Sequence, residues 1–398
     1  MATNAYSGDG PRTFSENVDR KKERRVNFKD ALQIFCKGAG SGFGLYAAFK
    51  IITALMKNPF RKRYPPLWKE LFSKDCFRFA SFLGLYPALY NLFLKLCQNY
   101  DLKKNGMNYV ISGGIAGLSL FVESNMRRRT IALFALARAV GVLADAANRQ
   151  GVVRPIPHGY TTLFCLCCSF MVYCTALKPQ LLQKGYYYSV LKWSRDYTNS
   201  NLEKVFRKQG SVFVSCARGE IHDNTCTRHA FLDLLQSWPG FAKLYLPIHV
   251  APILLFKRKL LRQQPKKVLK SLLKNVVMSA TFLSAMVMLA KYVICLLRNM
   301  SGKPPPLPAY IPLLAGLTCG LSVLFERASR RKELVMFLIP HTINALFLLG
   351  LEKGFCKYIP YGSVVVFAAS MMPIMHAYER EPATLTPFIR GILRYFVS

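Results

Sequence analysis

The sequence predicts an all-α polytopic membrane protein built from two tandem repeats, and two observations carry this prediction. Hydrophobic residues make up 52% of the 398-residue chain, although its formal net charge is +35 at pH 7. The charged residues lie in clusters between long apolar runs, as they do in multi-pass membrane proteins. The second observation is an internal match between residues 113–129 and 316–332, at a constant offset of 203 (316 minus 113).

The repeat keeps two glycines, a glutamate and two arginines at equal spacing in both copies. The matched pairs are Gly113 and Gly316, Gly117 and Gly320, Leu118 and Leu321, Ser119 and Ser322, Glu123 and Glu326, Arg127 and Arg330, and Arg128 and Arg331. Shorter matches align 45–46 with 244–245 and 80–83 with 280–283, at offsets of 199 (244 minus 45) and 200 (280 minus 80). We therefore divide the chain into a disordered basic N-terminal tail (1–29), a first membrane repeat (30–195), a polar linker (196–239) and a second membrane repeat (240–398).

Each repeat contains five apolar runs. They are 42–56, 76–97, 107–122, 130–147 and 160–177 in the first repeat, and 241–256, 276–297, 308–325, 333–350 and 360–376 in the second. Most of them reach the ~17–25 residues that a helix needs to cross a hydrocarbon core of about 30 Å. A water-soluble helical bundle is disfavoured, because such runs leave too few polar faces for solvent.

The basic loops indicate how many of these runs cross the membrane. Loops 57–74 and 257–274 are both rich in lysine and arginine, and short basic loops prefer one side of a membrane. Five crossings per repeat would place the two loops on opposite sides. We therefore predict about four transmembrane helices in each repeat, plus one interfacial or re-entrant helix, with both repeats in the same orientation. Runs 42–56 and 241–256 are the candidates for that additional helix, because they are short and interrupted by polar residues.

Small residues recur at one helix position of each repeat. Gly113 and Gly117 form a GxxxG motif, and Gly316 and Gly320 form its counterpart. Such motifs let two helix backbones approach closely inside a membrane. We expect these four glycines to mediate helix packing.

A glutamate and an arginine follow each GxxxG motif at a spacing of four residues. Glu123 precedes Arg127, and Glu326 precedes Arg330. An i,i+4 ion pair at the membrane boundary is the first interpretation. The alternative is a symmetric pair of carboxylates on a path for a solute or a proton, because ionisable groups inside membranes often serve transport.

Basic amphipathic segments predict contact with lipid headgroups. Residues 184–193 mix tyrosines and a tryptophan with lysines, and residues 388–396 mix arginines with large apolar residues. Helices of this kind lie in the membrane interface and attract anionic lipids. The expected partner is therefore the lipid bilayer, including its anionic lipids, and not nucleic acid, because the basic residues adjoin apolar runs.

The polar linker contains a cluster of cysteine and histidine. Cys216, His222, Cys226 and His229 fall within fourteen residues, and four such side chains can close a tetrahedral zinc site. Their spacing matches no standard zinc finger. A disulfide between Cys216 and Cys226, or no bond at all, are the alternatives. Zinc would order a segment that we expect to lack an apolar core of its own, and no other cofactor is predicted.

Familiar catalytic motifs are absent from the sequence. It contains no P-loop, no GxGxxG opening a helix, no GxSxG and no HExxH, which are signatures of phosphate, dinucleotide, acyl-transfer and zinc-protease chemistry. We therefore expect a protein without a catalytic centre.

Several short motifs lie along the two halves of the chain. They are Cys216-x5-His222-x3-Cys226, Lys243-Leu244-Tyr245-x-Pro247, Lys257-Arg258-Lys259-Leu260, Ser279-Ala280-Thr281-Phe282-Leu283 and Glu326-Arg327-x-x-Arg330-Arg331 in the second half, and Phe72-Ser73-Lys74, Ala80-Ser81-Phe82-Leu83-Gly84 and Pro157-His158 in the first. Together they resemble the transmembrane protein 135 family, also called the peroxisomal membrane protein 52 family. The resemblance covers most of residues 35–398, although the half that bears the cysteine-rich segment comes first in vertebrate members and second here. The family is distantly similar to the mitochondrial inner-membrane translocase family.

The resemblance implies a multi-pass protein of mitochondrial or peroxisomal membranes. It implies roles in the balance of mitochondrial fission and fusion and in lipid metabolism, with organelle-division proteins or a second copy of the chain as partners. Two alternatives stay open at this point. One is a transporter or channel built from two parallel repeats, and the other is a subunit of a protein-import translocase.

Overall fold

The computed structural model describes residues 28–57, 72–99, 106–152, 154, 156–256 and 258–397, and all regular structure among them is helical. The predicted all-α class is therefore confirmed for these residues. The predicted tail, residues 1–29, lies almost entirely outside the described residues, and so does most of the basic loop 57–74.

Fourteen α-helices make up the described chain. They are α1 (Phe28–Lys57), α2 (Lys74–Asn99), α3 (Met107–Gly117), α4 (Asn125–Arg149), α5 (Gly159–Leu177), α6 (Lys184–Ser194), α7 (Asn199–Leu202), α8 (Cys226–Phe256), α9 (Arg258–Gln263), α10 (Pro265–Ser301), α11 (Tyr310–Gly320), α12 (Ala328–Glu352), α13 (Gly362–Arg380) and α14 (Pro387–Val397). Short 3₁₀ segments follow α3 and α11, at Leu118–Val122 and Leu321–Phe325.

Helix lengths recur along the chain. Helices α3 and α11 have 11 residues each, α4 and α12 have 25, α5 and α13 have 19, and α6 and α14 have 11. The first residues of α3 and α11 are 203 positions apart (310 minus 107), which is the offset of the sequence match. Equal lengths at equal spacing are what a duplicated segment would produce, and the superposition of the two copies stays a prediction.

Two compact units divide the chain. The first contains the described parts of Met1–Asn125 and Met371–Ser398, and the second is Met126–Ser370. The units therefore do not follow the predicted contiguous repeats, because residues 126–195 belong to the second unit and residues 371–398 to the first. In the first unit α1 packs on α2, and α2 packs on α3. In the second unit α10 packs on α8 and α11, and α5 packs on α11 and α12.

Five helices among the described residues are long and apolar enough to cross a membrane. They are Lys74–Gln98, Asn125–Arg149, Gly159–Leu177, Pro265–Ser301 and Ala328–Glu352. This is the composition of a multi-pass membrane protein. The five helices are fewer than the eight that four per repeat would give. The apolar segments Met107–Val122 and Tyr310–Phe325 are shorter.

The basic segment 257–274 was predicted to be a loop, and that prediction is wrong for its described residues. Helix α9 covers Arg258–Gln263, and α10 begins at Pro265, well before its apolar part. Lysine is a good helix former, and proline is favoured in the first turn because its missing N–H has no partner there. The lysines thus extend the spanning helix beyond its apolar part.

The linker is ordered by buried apolar side chains. Tyr197, Leu202, Val205, Phe206 and Ile221 are buried in one apolar cluster with residues of α10 and α11. The backbone N–H of Leu307 donates to the carbonyl of Phe206 at 2.9 Å. The expectation that this segment lacks an apolar core is therefore wrong, because its few large side chains pack against the membrane helices.

Candidate metal centre, ion cluster and apolar cavity

Three segments bring a cysteine and histidine cluster together in the second unit. Cys216 lies in a tight turn, in which the N–H of Ile221 donates to the carbonyl of Cys216 at 3.0 Å. Cys226 is the first residue of α8, and His222 lies between these two cysteines. The fourth residue is Cys295, which is buried near the end of α10.

The four ligand atoms converge on one point. The Sγ atoms of Cys216, Cys226 and Cys295 and a ring nitrogen of His222 all lie within 4.8 Å of one another. The Cys216 and Cys295 sulfurs are 3.9 Å apart, and His222 Nε2 is 3.9 Å from Cys295 Sγ. All twelve cysteines are free thiols, so Cys216 and Cys226 do not form the alternative disulfide.

His229, the fourth predicted ligand, occupies a different position. Its ring stacks on that of His222 with centroids 4.3 Å apart. Its Nε2 lies 3.3 Å from an Asp196 carboxylate oxygen. The structure thus brings together three of the four predicted residues and puts Cys295 where His229 was expected. Sequence reasoning missed Cys295 because a cysteine within an apolar run has the pattern of an ordinary core residue.

Side chains around the cluster direct hydrogen bonds to its sulfurs. The Arg298 guanidinium donates to Cys216 Sγ at 2.8 Å and to the carbonyl of Val214 at 2.8 Å. The Asn299 amide donates to Cys226 Sγ at 3.2 Å. Both donors lie on the last turns of α10, next to Cys295. Because hydrogen bonds to sulfur favour the thiolate over the thiol, this shell suits a site that holds charged sulfur.

Two cysteines of the cluster have opposite pKa shifts. The hydrogen bond with Cys295 and the charge of Arg298 lower the pKa of the Cys216 thiol to about 5, although burial opposes this. Burial and the neighbouring Cys216 raise the pKa of the Cys226 thiol. Only thiolates bind metal or act as nucleophiles. Cys216 is therefore the thiol of this pair that is charged at neutral pH.

A buried ion cluster lies beside the cysteines. Lys291 Nζ on α10 is 2.6 Å from an Asp196 oxygen and 2.9 Å from an Asp233 oxygen, and it donates to the Ser194 carbonyl at 3.0 Å. The Lys291 and Asp233 side chains are 6% and 3% exposed. Buried charges require partners, and here α8, α10 and the segment after α6 share them. Sequence reasoning had no signal for this cluster, because its members are far apart in the chain.

An apolar cavity of about 320 Å³ opens within the second unit. Its volume is within the ~300–1,000 Å³ range of small-molecule sites. Polar groups are confined to a few positions, which include Lys291, Ser194 and Tyr197. The apolar wall comes from α5, α10 and α12 and includes Phe164, Met171, Phe282, Leu283, Met286, Val287 and Leu338. The cavity therefore has an apolar body and a polar group at Lys291, and no pattern in the sequence indicated it.

Three of the four predicted packing glycines lie at close helix contacts. A Cβ on Gly316 would lie 2.5 Å from the Cys168 carbonyl oxygen, and one on Gly320 would lie 2.6 Å from Cys165 Cα. Both contacts are with the backbone of α5 in the second unit. Gly113 faces Met375 in the first unit, where a Cβ would lie 2.9 Å from the methionine side chain. Gly117 is also buried.

Glu326 is buried and belongs to a polar network. Its carboxylate is 2.9 Å from the Arg330 guanidinium and accepts a hydrogen bond from the Ser279 hydroxyl. His249 on α8 completes the network, with its Nε2 3.0 Å from Ser279 Oγ and 3.2 Å from Arg330 Nη1. Burial and the charge of Arg330 lower the pKa of His249 to about 4, so this histidine is neutral at pH 7.

Glu123 is at the corresponding position of the first unit. It is 1% exposed, and its carboxylate accepts the N–H of Ser124 at 3.1 Å. The chain is extended at Glu123 and at Glu326, so both carboxylates follow a short apolar helix at the point where it stops. Arg127 lies four residues later, in the first turn of α4.

No family model matches this chain, and no solved structure matches it.

Proposed function

We propose that the chain is a non-enzymatic, multi-pass organelle membrane protein that binds one lipid in the cavity of its second unit. The cavity carries this proposal. Its wall belongs mostly to helices long enough to cross a membrane, and its polar groups are few. A lipid is the ligand class that combines a long apolar chain with one polar end and is abundant around such helices.

The polar end of the cavity supplies the selectivity in this proposal. An acyl chain that leaves the bilayer for an apolar cavity gains no hydrophobic free energy, since lipid tails are already apolar. Discrimination must then come from shape and from polar contacts. Lys291 lies between Asp196 and Asp233, and Tyr197 and Ser194 also line the cavity. An uncharged hydroxyl or ester headgroup suits this cluster better than an anionic one does, because two carboxylates flank Lys291.

The resemblance to the transmembrane protein 135 family supports the cellular part of the proposal. It favours the mitochondrial or peroxisomal membrane, and it favours a role in lipid metabolism and in the balance of organelle fission and fusion. A bound lipid would link lipid metabolism to organelle fission and fusion, because membrane remodelling depends on lipid supply. Organelle-division proteins and a second copy of the chain stay the proposed partners, and the two halves of the chain are proposed to be duplicated, parallel repeats.

Native mass spectrometry of the purified protein tests the lipid site. Val287 on α10 lines the cavity, whereas Val277, ten residues earlier on the same helix, is 39% exposed. The Val287→Phe variant should fill the cavity and lose the co-purifying lipid. The Val277→Phe variant adds the same volume on the outer surface and should retain it. Equal lipid occupancy in both variants, with unchanged melting temperatures, would contradict the proposal.

A transporter is the second candidate function, and one observation favours it. The short apolar segments Met107–Val122 and Tyr310–Phe325 occupy matching places in the two halves, and each ends at a buried glutamate. Paired short segments of this kind often mark the binding site of transporters with internal repeats. Proton flux into liposomes that contain the wild-type protein, lost in Glu326→Gln and retained in the half-exposed control Glu333→Gln, would favour transport over lipid binding alone.

A further inference from the structure

We propose that Cys216, His222, Cys226 and Cys295 bind one zinc ion, which fixes the linker to the end of α10. This inference is independent of the lipid proposal. The cluster differs from the one that spacing alone predicts, because its fourth ligand comes from a membrane helix seventy-nine residues from Cys216 and not from His229.

The distances between the ligand atoms suit a tetrahedral zinc ion. Zinc–sulfur bonds of about 2.3 Å place two sulfurs of a tetrahedron roughly 3.8 Å apart, and a sulfur and a nitrogen slightly closer. The observed distances are 3.9 Å between Cys216 and Cys295 and 3.9 Å between Cys295 and His222 Nε2. A regular tetrahedron therefore requires shifts of only a few tenths of an ångström at these atoms. Three thiolates and one imidazole are a common ligand set for structural zinc.

The His222 ring is oriented to bind a metal through Nε2. Its Nδ1 lies 2.8 Å from the carbonyl oxygen of Asn224, and a carbonyl can only accept, so Nδ1 carries the proton. This fixes the tautomer in which Nε2 has a free lone pair. That lone pair belongs to the nitrogen 3.9 Å from Cys295 Sγ. A second hydrogen bond that orients the ring is the usual support of a metal-binding histidine.

The charged and polar groups around the sulfurs suit a zinc–thiolate site. Zinc with three thiolates and a neutral imidazole has a net charge of −1, which requires compensation in a buried place. Arg298 supplies a positive charge through its hydrogen bond to Cys216, and its side chain is fully enclosed at 2% exposure. Asn299 donates to Cys226. A buried cation that donates to a cysteine sulfur matches a negatively charged metal site.

The ion would have a structural role. Four protein ligands close the coordination shell, which leaves no open position for a substrate. The metal would join the turn at Cys216, the start of α8 and the end of α10. Tyr197 and Lys291 adjoin both the cluster and the apolar cavity, so the same ion would also hold the polar end of that cavity in place.

Metal analysis of the full-length protein tests this assignment. Protein purified in detergent under reducing conditions, with zinc supplied during expression, should contain about one zinc per chain. Cys295→Ser should lose most of it. His229→Gln should retain it, because its ring stacks on His222 without reaching the cluster. Cys174→Ser is the matched control, since Cys174 is also a buried cysteine on a membrane helix of the same unit.

A second measurement covers the case in which Cys295→Ser fails to fold. Thiol alkylation of the wild-type protein, read by peptide mass spectrometry, should label Cys216 and Cys226 only after a chelator has removed the metal. Loss of zinc in His229→Gln with retention in Cys295→Ser would overturn the ligand set. Substoichiometric zinc in the wild type, iron in place of zinc, or a Cys216–Cys226 disulfide would overturn the site itself.

Discussion

Helices α1 and α2 in the first unit are held together by different contacts from those that join α8 and α10 in the second unit. In the first pair the backbones meet at glycines, and a Cβ on Gly84 would lie 2.6 Å from the Phe35 carbonyl oxygen. In the second pair polar side chains cross between the helices, as Lys291 and Asp233 do at 2.9 Å. One pair is closed by small residues, and the other is held by buried charge.

The same difference is found at the ends of these helices. The sequence offsets of 199 and 200 place Lys95 at the position of Cys295 and Asp30 at that of His229. Lys95 and Asp30 form a half-exposed ion pair at 3.7 Å, whereas Cys295 and His229 belong to the buried cluster region. An exposed pair contributes about 0–1 kcal/mol. If the halves are duplicated, the two copies close equivalent helix pairs by different means.

The largest expected effect is at the buried charges. Lys291→Met would remove the buried cation that Asp196 and Asp233 share, and removing one partner of a buried pair costs roughly 3–5 kcal/mol. Lys95→Met in the first unit removes an exposed partner and should cost less than about 1 kcal/mol. Denaturant unfolding in detergent, followed by intrinsic fluorescence, measures both. Equal losses would remove the distinction between the two helix pairs.

A smaller effect is expected at the glycine crossings. Gly316→Ala meets the backbone of Cys168 and Ser169 at 2.5 Å, whereas Gly113→Ala meets the Met375 side chain at 2.9 Å and the Met371 carbonyl oxygen at 3.0 Å. Overpacking typically costs about 1–3 kcal/mol, and Gly316→Ala should be at the upper end of that range. Gly391→Ala has nothing within 4 Å and serves as the control. Melting temperatures that rank Gly113→Ala below Gly316→Ala would contradict this packing.

The smallest expected effect is a dependence of stability on pH. Burial raises the pKa of Asp196, but the hydrogen bond and charge of Lys291, with smaller contributions from His229 and Arg195, lower it overall. A carboxyl whose folded-state pKa is depressed adds stability above its unfolded pKa of about 4, and that stability is lost as pH falls through the folded value. Wild-type stability should therefore decline below about pH 4, and more steeply than that of Lys291→Met. Parallel pH profiles of the two proteins would exclude Asp196 as the cause.

The sequence predicted the helical class because apolar runs of membrane length leave few alternatives. It also located three of the four clustered cysteine and histidine residues, since Cys216, His222 and Cys226 are close in the chain. It could not identify Cys295, Lys291 or the cavity wall. These depend on which helices become neighbours, and a residue such as Cys295 has the same local pattern whether it packs passively or faces a cluster. The sequence also could not show that residues 126–195 belong to the second unit and residues 371–398 to the first. A repeat in sequence does not specify which helices pack together.

Photolabelling tests the central claim, that the cavity of the second unit holds a lipid, most directly. Purified protein would be incubated with a fatty alcohol that carries a diazirine on its chain, irradiated and mapped by peptide mass spectrometry. We predict labels on cavity residues such as Met286 and Phe282, and their loss in Val287→Phe but not in Val277→Phe. Labels confined to outward-facing residues such as Leu296, unchanged in both variants, would contradict the account.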